Sequence, residues 1–299
     1  MARMARRYDT ISFLTDYGIA DEFVGVVKCV IRDIASHVGV IDLTHDIPAF
    51  DVRAGSLALA RCVSYVPSGV VLAVVDPGVG TARRAIAVEV ADGEGVMVGP
   101  DNGLLAPAIA MAGGSGRAVV LNNPEYQLEP PGATFAGRDI FGPAAAYLCN
   151  GVDLYELGEP IDAALLIPGV VPLPRQEGAA LVTEVLWVDR FGNCQLNVGP
   201  DEVAHLGEHI RITVGELSGD PTVRSTLQVA AFGELPAGAI GLVTDSYGML
   251  ALCLDRRSAA QELRIGPTDQ VVLEAITDSE GAASAPAAIS TPVNLRIGR

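Results

Sequence analysis

The sequence predicts an α/β domain with a mostly parallel sheet in Rossmann-like layers, followed by a small antiparallel β-barrel. Three observations predict it. Short apolar runs alternate with helical periods through the first half of the chain. Near the middle, Pro160, Pro168, Pro172 and Pro174 interrupt both patterns. Beyond them only short strand-like segments recur, parted by Gly, Asp and Ser turns. The expected boundaries are 8–165 for the α/β domain, 166–177 for a linker, 178–277 for the barrel and 278–299 for a mobile tail rich in Ala, Ser and Pro.

Thr10–Leu14 reads as a buried strand that stops at the polar loop Thr15–Gly18. Asp21 and Glu22 then open a helix, because Phe23, Val26, Val27, Val30, Ile31 and Ile34 recur at helical spacing and acid groups suit a helix N-terminus. Val38–Leu43 is the second strand and Ala54–Val66 the second helix. Val70–Val75 is a continuous apolar run ending in Asp-Pro-Gly, hence a strand that terminates abruptly. Ala85–Val90 and Gly95–Val98 form a hairpin-like pair, Leu104–Ala112 a helix, Ala118–Leu121 a strand and Ile140–Cys149 a helix. In the second half the strand candidates are Ala179–Val188, Ile210–Val214, Thr226–Ala230, Ile240–Thr244, Leu250–Leu254 and Val271–Ala275.

Composition narrows the function. The 299 residues are 49% hydrophobic and carry a formal charge of −16; so acidic a surface repels phosphate backbones, which makes nucleic acid a poor partner. No apolar stretch approaches the ~20 residues of a membrane span, and MARMARR reads as a ragged N-terminus and not a signal peptide. The five cysteines are scattered without a CxxC pair, which points to reduced thiols in the cytoplasm and no metal site.

In open α/β sheets ligands sit beyond the carboxyl ends of the strands. Thr15–Tyr17, Thr44–Asp46 and Asp76–Gly80 fall at three such ends. Asp16, Asp46 or Asp76 alone reads equally well as a helix or turn cap; the three together, with His45 and several glycines, favour a site.

Four segments in the first half carry a pattern: FLTDYGIADEFVG (Phe13–Gly25), DLTHDIPAFDVRAG (Asp42–Gly55), VVDPGVGTARR (Val74–Arg84) and VGPDNGLL (Val98–Leu105). TFAGRDIFGPAAA (Thr134–Ala146), DRFGNCQLN (Asp189–Asn197) and DSYGMLAL (Asp245–Leu252) follow. With them the chain, from about Asp9 to about Ala275, resembles the S-adenosylmethionine (SAM) hydroxide adenosyltransferases, relatives of the SAM-dependent fluorinating and chlorinating enzymes. The resemblance implies a SAM-binding α/β domain, a C-terminal barrel and a trimer with active sites between subunits. It also implies hydrolysis of SAM to adenosine and methionine, with no cofactor because SAM is the substrate. Asp16 then matches the residue holding the ribose hydroxyls, and Asp21 the one near the methionine ammonium. Phe191, Asn193 and Phe232 match adenine contacts, and Ser246 a methionine-carboxylate contact. Tyr247 stands where the halogenating relatives often have Arg.

Asp76 and Arg83 match the pair that holds the attacking water or hydroxide. A sulfonium leaving group departs readily, so the reaction needs a directed nucleophile more than an acid; such positioning lowers a barrier by up to ~7–11 kcal/mol. A halide beside Asp76 would meet like-charge repulsion of about 4 kcal/mol at ~4 Å and an effective dielectric of ~20. The halogenating relatives have a neutral residue at Asp76, and the fluorinating ones a hydroxyl where this chain has Gly137. One departure stands out: the TFxGRD string of the hydrolases usually carries His at x, and this chain has Ala136. His45 is then either a substitute for it or a structural hydrogen-bonding residue. Besides hydrolysis, three readings stay open: a halogenase, a non-catalytic SAM or adenosine sensor, and a metal-dependent phosphoesterase built on the rim carboxylates.

Overall fold

The computed structural model describes residues 8–215 and 221–276. The expectations for residues 1–7 and for the tail 278–299 lie outside the described residues. The chain divides into two compact units between Val171 and Pro172. That division falls inside the stretch 166–177 expected to be a linker.

The first unit is a seven-stranded sheet with helices on both faces. Its strands are β1 (Thr10–Thr15), β2 (Gly39–Thr44), β3 (Val70–Val74), β4 (Ala85–Val90), β5 (Gly95–Pro100), β6 (Ser115–Leu121) and β7 (Gly158–Pro160), in the order β2-β1-β3-β5-β4-β6-β7. The pairings from β2 to β5 are parallel; β4, β6 and β7 add antiparallel strands beyond β5. The β4–β5 pair is the expected hairpin. The helices are α1 (Phe23–Ile34), α2 (Val52–Val63), α3 (Ala106–Met111) and α4 (Gly142–Cys149).

Alternation along the strands feeds two cores. Phe13, Val74 and Val98 pack on one face with Val27 and Ile31 of α1, Ala145 of α4 and Phe141 just before α4. Leu14, Val71 and Met97 pack on the other with Leu59, Leu104 and Ile109. Strands buried on both faces explain the near-continuous apolar runs.

All four helix starts in this unit differ from expectation, α2 beginning at Val52 and not Ala54, and α3 at Ala106 and not Leu104. In α1 the first helical residue is Phe23; Glu22 is the N-cap, and its carbonyl, not a side chain, takes the first bond, from Val26 N at 2.9 Å. Before α4 the chain makes one π-helical turn, Gly137–Phe141, in which Gly142 N donates to Gly137 O. Pro143 lacks the N–H that an α-helical ladder would need there, so the wider turn absorbs the gap.

The second unit is a closed barrel. Its strands are β8 (Arg175–Glu177), β9 (Ala180–Val188), β10 (Cys194–Leu196), β11 (His209–Val214), β12 (Thr222–Val229), β13 (Ile240–Thr244), β14 (Leu250–Leu254) and β15 (Gln270–Ala275). Seven of them close the ring β9-β10-β14-β13-β12-β11-β15, with β8 paired outside on β9. Two short helices, α5 (Pro200–Val203) and α6 (Ala259–Leu263), accompany it. Val185, Leu196, Ile210, Leu242, Leu252 and Leu273 fill the interior. The barrel is mixed, not wholly antiparallel: β12 and β13 run parallel, because residues 230–239 return the chain to the starting end before β13 begins.

Candidate active site

Asp76 follows the carboxyl end of β3, and Arg83 returns to it across a loop of glycines. Arg83 Nε donates to Asp76 Oδ1 at 2.8 Å and to Oδ2 at 3.0 Å, and its terminal nitrogen also bonds Oδ2. The fork is nearly sealed, with the side chains 5% and 14% exposed. Behind it, the guanidinium carbon lies 5.0 Å from the centre of the Phe141 ring. A bidentate fork backed by an aromatic ring fixes a carboxylate in one orientation. The structure therefore brings the two expected catalytic residues together.

Asp16 stands at the end of β1 and accepts from Phe50 N at 2.8 Å through Oδ2. Phe50 has φ +68° and is 72% exposed, an unfavourable backbone state for a bulky residue that this hydrogen bond helps to hold. Next to Asp16, Tyr17 turns inward against Phe23 and Phe135, ring centres 5.9 and 5.7 Å away. Burial pushes the Tyr17 phenol well above its ordinary value; Asp16, Asp76 and Asp139 push the same way, against Arg83. Asp21 is exposed ahead of α1 and makes no hydrogen bond or ion pair among the described residues.

Ala136 is buried, and its methyl group adds no polar atom to the pocket it lines with Arg83 and Asp139. His45 is packed against residues of β1 and β2. Its Nδ1 is 2.9 Å from Thr15 Oγ1, its ring packs edge-on to Phe13, and its Nε2 lies 3.1 Å from Asp42 Oδ1 without hydrogen-bond alignment. Asp139 pairs with its neighbour Arg138 at 2.6 Å and accepts from Leu128 N at its carbonyl, which ties the 128–139 loop to the π-turn. Among the described residues no three of His, Cys, Asp and Glu are placed to hold a metal ion. Two of the rim carboxylates that suggested a phosphoesterase are engaged by Phe50 N and Arg83 instead.

In the second unit Phe191, Asn193, Phe232 and Ser246 line one cleft of the barrel. Two turns of identical build shape it. Asp189 N donates to Asn193 O (3.0 Å) and Asp245 N to Met249 O (2.8 Å), closing the β9–β10 and β13–β14 hairpins. In each, one carboxylate oxygen accepts two backbone N–H groups: Phe191 and Asn193 at 2.9 and 2.8 Å from Asp189, and Tyr247 and Met249 at 2.8 and 3.0 Å from Asp245. Gly192 and Gly248, at φ +85° and +81°, complete the turns. Phe191 is thereby held out at 77% exposure, beside the half-exposed Phe232. Asn193 Nδ2 donates one hydrogen to the other Asp189 oxygen at 2.7 Å, which leaves the amide oxygen and the second N–H for another partner.

Sequence reasoning assigned no role to Tyr17, Asp189 or Asp245. For the two aspartates a signal existed: DRFG and DSYG share one Asp-x-aromatic-Gly pattern. For Tyr17 there was none.

Residues 11–158 match the SAM hydroxide adenosyltransferase N-terminal domain and residues 183–272 the corresponding C-terminal domain. This chain belongs to the SAM hydroxide adenosyltransferase family. Among family relatives, the (R)-S-adenosyl-L-methionine hydrolase of Salinispora tropica is 43% identical over 87% of this chain and 96% of its own. A fluorinase of Nocardia brasiliensis is more distant, at 27% identity over 89% and 97%. The crystal structure of an uncharacterized conserved protein from Thermotoga maritima superposes with a TM-score of 0.80 at 32% identity, covering 88% of this chain and 99% of that one.

Proposed function

We propose that this chain is an enzyme that hydrolyses SAM to adenosine and L-methionine by attack of water or hydroxide at C5′. The observation that carries the reading is the nearly sealed fork of Asp76 and Arg83 at the sheet rim. Asp76 accepts a proton from water, while Arg83 fixes the carboxylate and favours hydroxide character on the oxygen. The water oxygen bonds to C5′, the C5′–S bond breaks and its electron pair stays on the methionine sulfur. Asp16, with one oxygen already on Phe50 N, offers the other to the ribose diol. Asp21 supplies a carboxylate to the methionine ammonium. Phe191 and Phe232 pack the adenine, Asn193 reads its edge and Ser246 meets the methionine carboxylate. No cofactor is needed, because the sulfonium is already activated. The working form is a cytoplasmic homotrimer with the sites between subunits.

The near relatives named (R)-S-adenosyl-L-methionine hydrolase support this reading over halogenation, as does the negative charge that a halide would have to approach at Asp76. Incubation with SAM in halide-free buffer tests it. Equal amounts of adenosine and methionine are expected, with the Asp76→Ala variant at least ~100-fold slower. Tight binding without product would establish the sensor reading instead, and a 5′-halo-adenosine on addition of chloride or fluoride the halogenase reading.

A further inference from the structure

Water attacking C5′ has two hydrogens, and the Asp76–Arg83 fork accounts for one. Asp76 accepts that proton, Arg83 can only donate, and Ala136 offers nothing. The groups beside the fork are therefore the place to look for a partner for the second hydrogen.

Tyr17 is such a group. A methyl built on Gly137 would lie 2.3 Å from Tyr17 Oη and 3.2 Å from Cζ, so the hydroxyl rests directly against the backbone of Gly137. Four residues along the same π-turn, Phe141 carries the Arg83 guanidinium on its ring, 5.0 Å from centre to carbon. Residues four apart on a helical segment share a face, about 5–6 Å from one another. The hydroxyl and the Phe141 ring that carries Arg83 thus lie on one face of that turn, and Asp76 and Arg83 are near enough to act electrostatically on Tyr17. Phe23, tilted against it, and Phe135, edge-on, hold the Tyr17 ring there and leave it little rotational freedom.

The hydroxyl is also uncommitted. Buried phenols normally find a protein partner. Among the described residues no protein group hydrogen-bonds this one. Nor is it sealed, because the one sealed and unpaired side-chain nitrogen or oxygen among them is His45 Nε2. A neutral hydroxyl can accept one hydrogen bond while donating another, which neither member of the fork can do.

We propose, building on the hydrolysis reading above, that the Tyr17 hydroxyl is the third contact of the attacking water, accepting its second hydrogen beside Asp76 and Arg83. In the step, the water oxygen bonds to C5′ as the C5′–S pair leaves on sulfur. One proton passes to Asp76, and the other stays on the oxygen as the 5′-hydroxyl hydrogen, steadied by Tyr17 Oη. Tyr17 gains and loses no proton. Its surroundings keep it in the neutral state this role requires.

The test is Tyr17→Phe, which keeps the ring contacts and deletes one oxygen, compared with the unaltered chain for kcat, KM for SAM, adenosine affinity and thermal midpoint. A ~10–100-fold fall in kcat is expected, in the range of one lost transition-state contact, with KM and adenosine Kd within about 2-fold. The thermal midpoint should be unchanged. An unchanged kcat overturns the inference. So does a loss that falls on KM and adenosine affinity, which would place the hydroxyl on the substrate, or a loss accompanied by a lowered midpoint, which would make it structural. If the unaltered chain itself releases no adenosine, the hydrolysis reading fails and takes this inference with it; a variant equal to an active parent sinks the inference alone.

Discussion

At the scale of single residues, the fork at Asp76 and Arg83 joins stability to chemistry. Asp76→Asn keeps the shape and removes the charge that holds Arg83 and that, in the proposed reaction, takes the proton. Turnover should fall by ~100-fold or more, with a stability loss of up to ~3 kcal/mol for leaving a mostly buried guanidinium without its counter-ion; steady-state kinetics and urea unfolding measure the two separately. Arg83→Lys keeps the positive charge but loses the two-pronged geometry, so activity should drop while the fold holds. This pair was legible only through the family resemblance of VVDPGVGTARR; the six residues between them, two of them glycine, form the loop that brings 83 back to 76. His45 was half legible: its place on the rim was, but its contact with Thr15 and its nearness to Asp42 depend on the pairing of β1 with β2. Tyr17 was not legible at all. Nothing in FLTDYG says whether the ring turns inward, because the partners that hold it, Phe135 and Gly137, lie over 100 residues away.

At the scale of elements, two turns should prove least tolerant. The π-turn brings Gly137 under Tyr17, so Gly137→Ala must push the hydroxyl aside; overpacking of this kind costs about 1–3 kcal/mol and should also slow turnover. Chemical denaturation with parallel kinetics checks both halves of that expectation. In the barrel, Asp189→Ala deletes three hydrogen bonds at once, to Phe191 N, Asn193 N and Asn193 Nδ2. It should weaken adenosine binding while leaving chemistry at the Asp76–Arg83 fork intact, a result that titration calorimetry with adenosine would register. The long apolar strands and amphipathic helices were readable from their periods. The three-residue strands β7, β8 and β10 were not, because so short a run displays no period. The parallel β12–β13 pairing escaped for a related reason: local pattern marks a strand but not the direction in which it meets its neighbour.

At the scale of the whole molecule, buried thiols and paired carboxylates set the response to reagents and pH. Burial pushes the thiols of Cys149 and Cys194 up to about 12 and that of Cys253 to about 11. Alkylation near pH 8 should therefore label exposed Cys29 first, Cys62 more slowly and the other three only after unfolding, as peptide mass mapping would reveal. Asp42 and Asp153 behave in the opposite sense. Burial raises each carboxyl, but Lys28 and His45 in one case, and Tyr155 N and Arg117 in the other, outweigh it and leave the folded values below the ordinary 3.8. The unfolded chain then binds protons first as pH falls. The stability these pairs contribute is complete above the ordinary value and is lost as pH drops through the depressed ones, so the unfolding midpoint should fall in that acid window. Among the described residues no helix is long and apolar enough to cross a membrane. The division into an α/β unit and a barrel was legible because the sequence changes its period at the proline-rich stretch.

The central claim is that solvent oxygen, directed by the Asp76–Arg83 fork, ends on the ribose methylene carbon. Turnover of SAM in ¹⁸O-labelled water, with mass analysis of the adenosine, tests it most directly. The account predicts one heavy oxygen at the 5′ position and none elsewhere. Adenosine that carries no label, or SAM recovered intact, would contradict it.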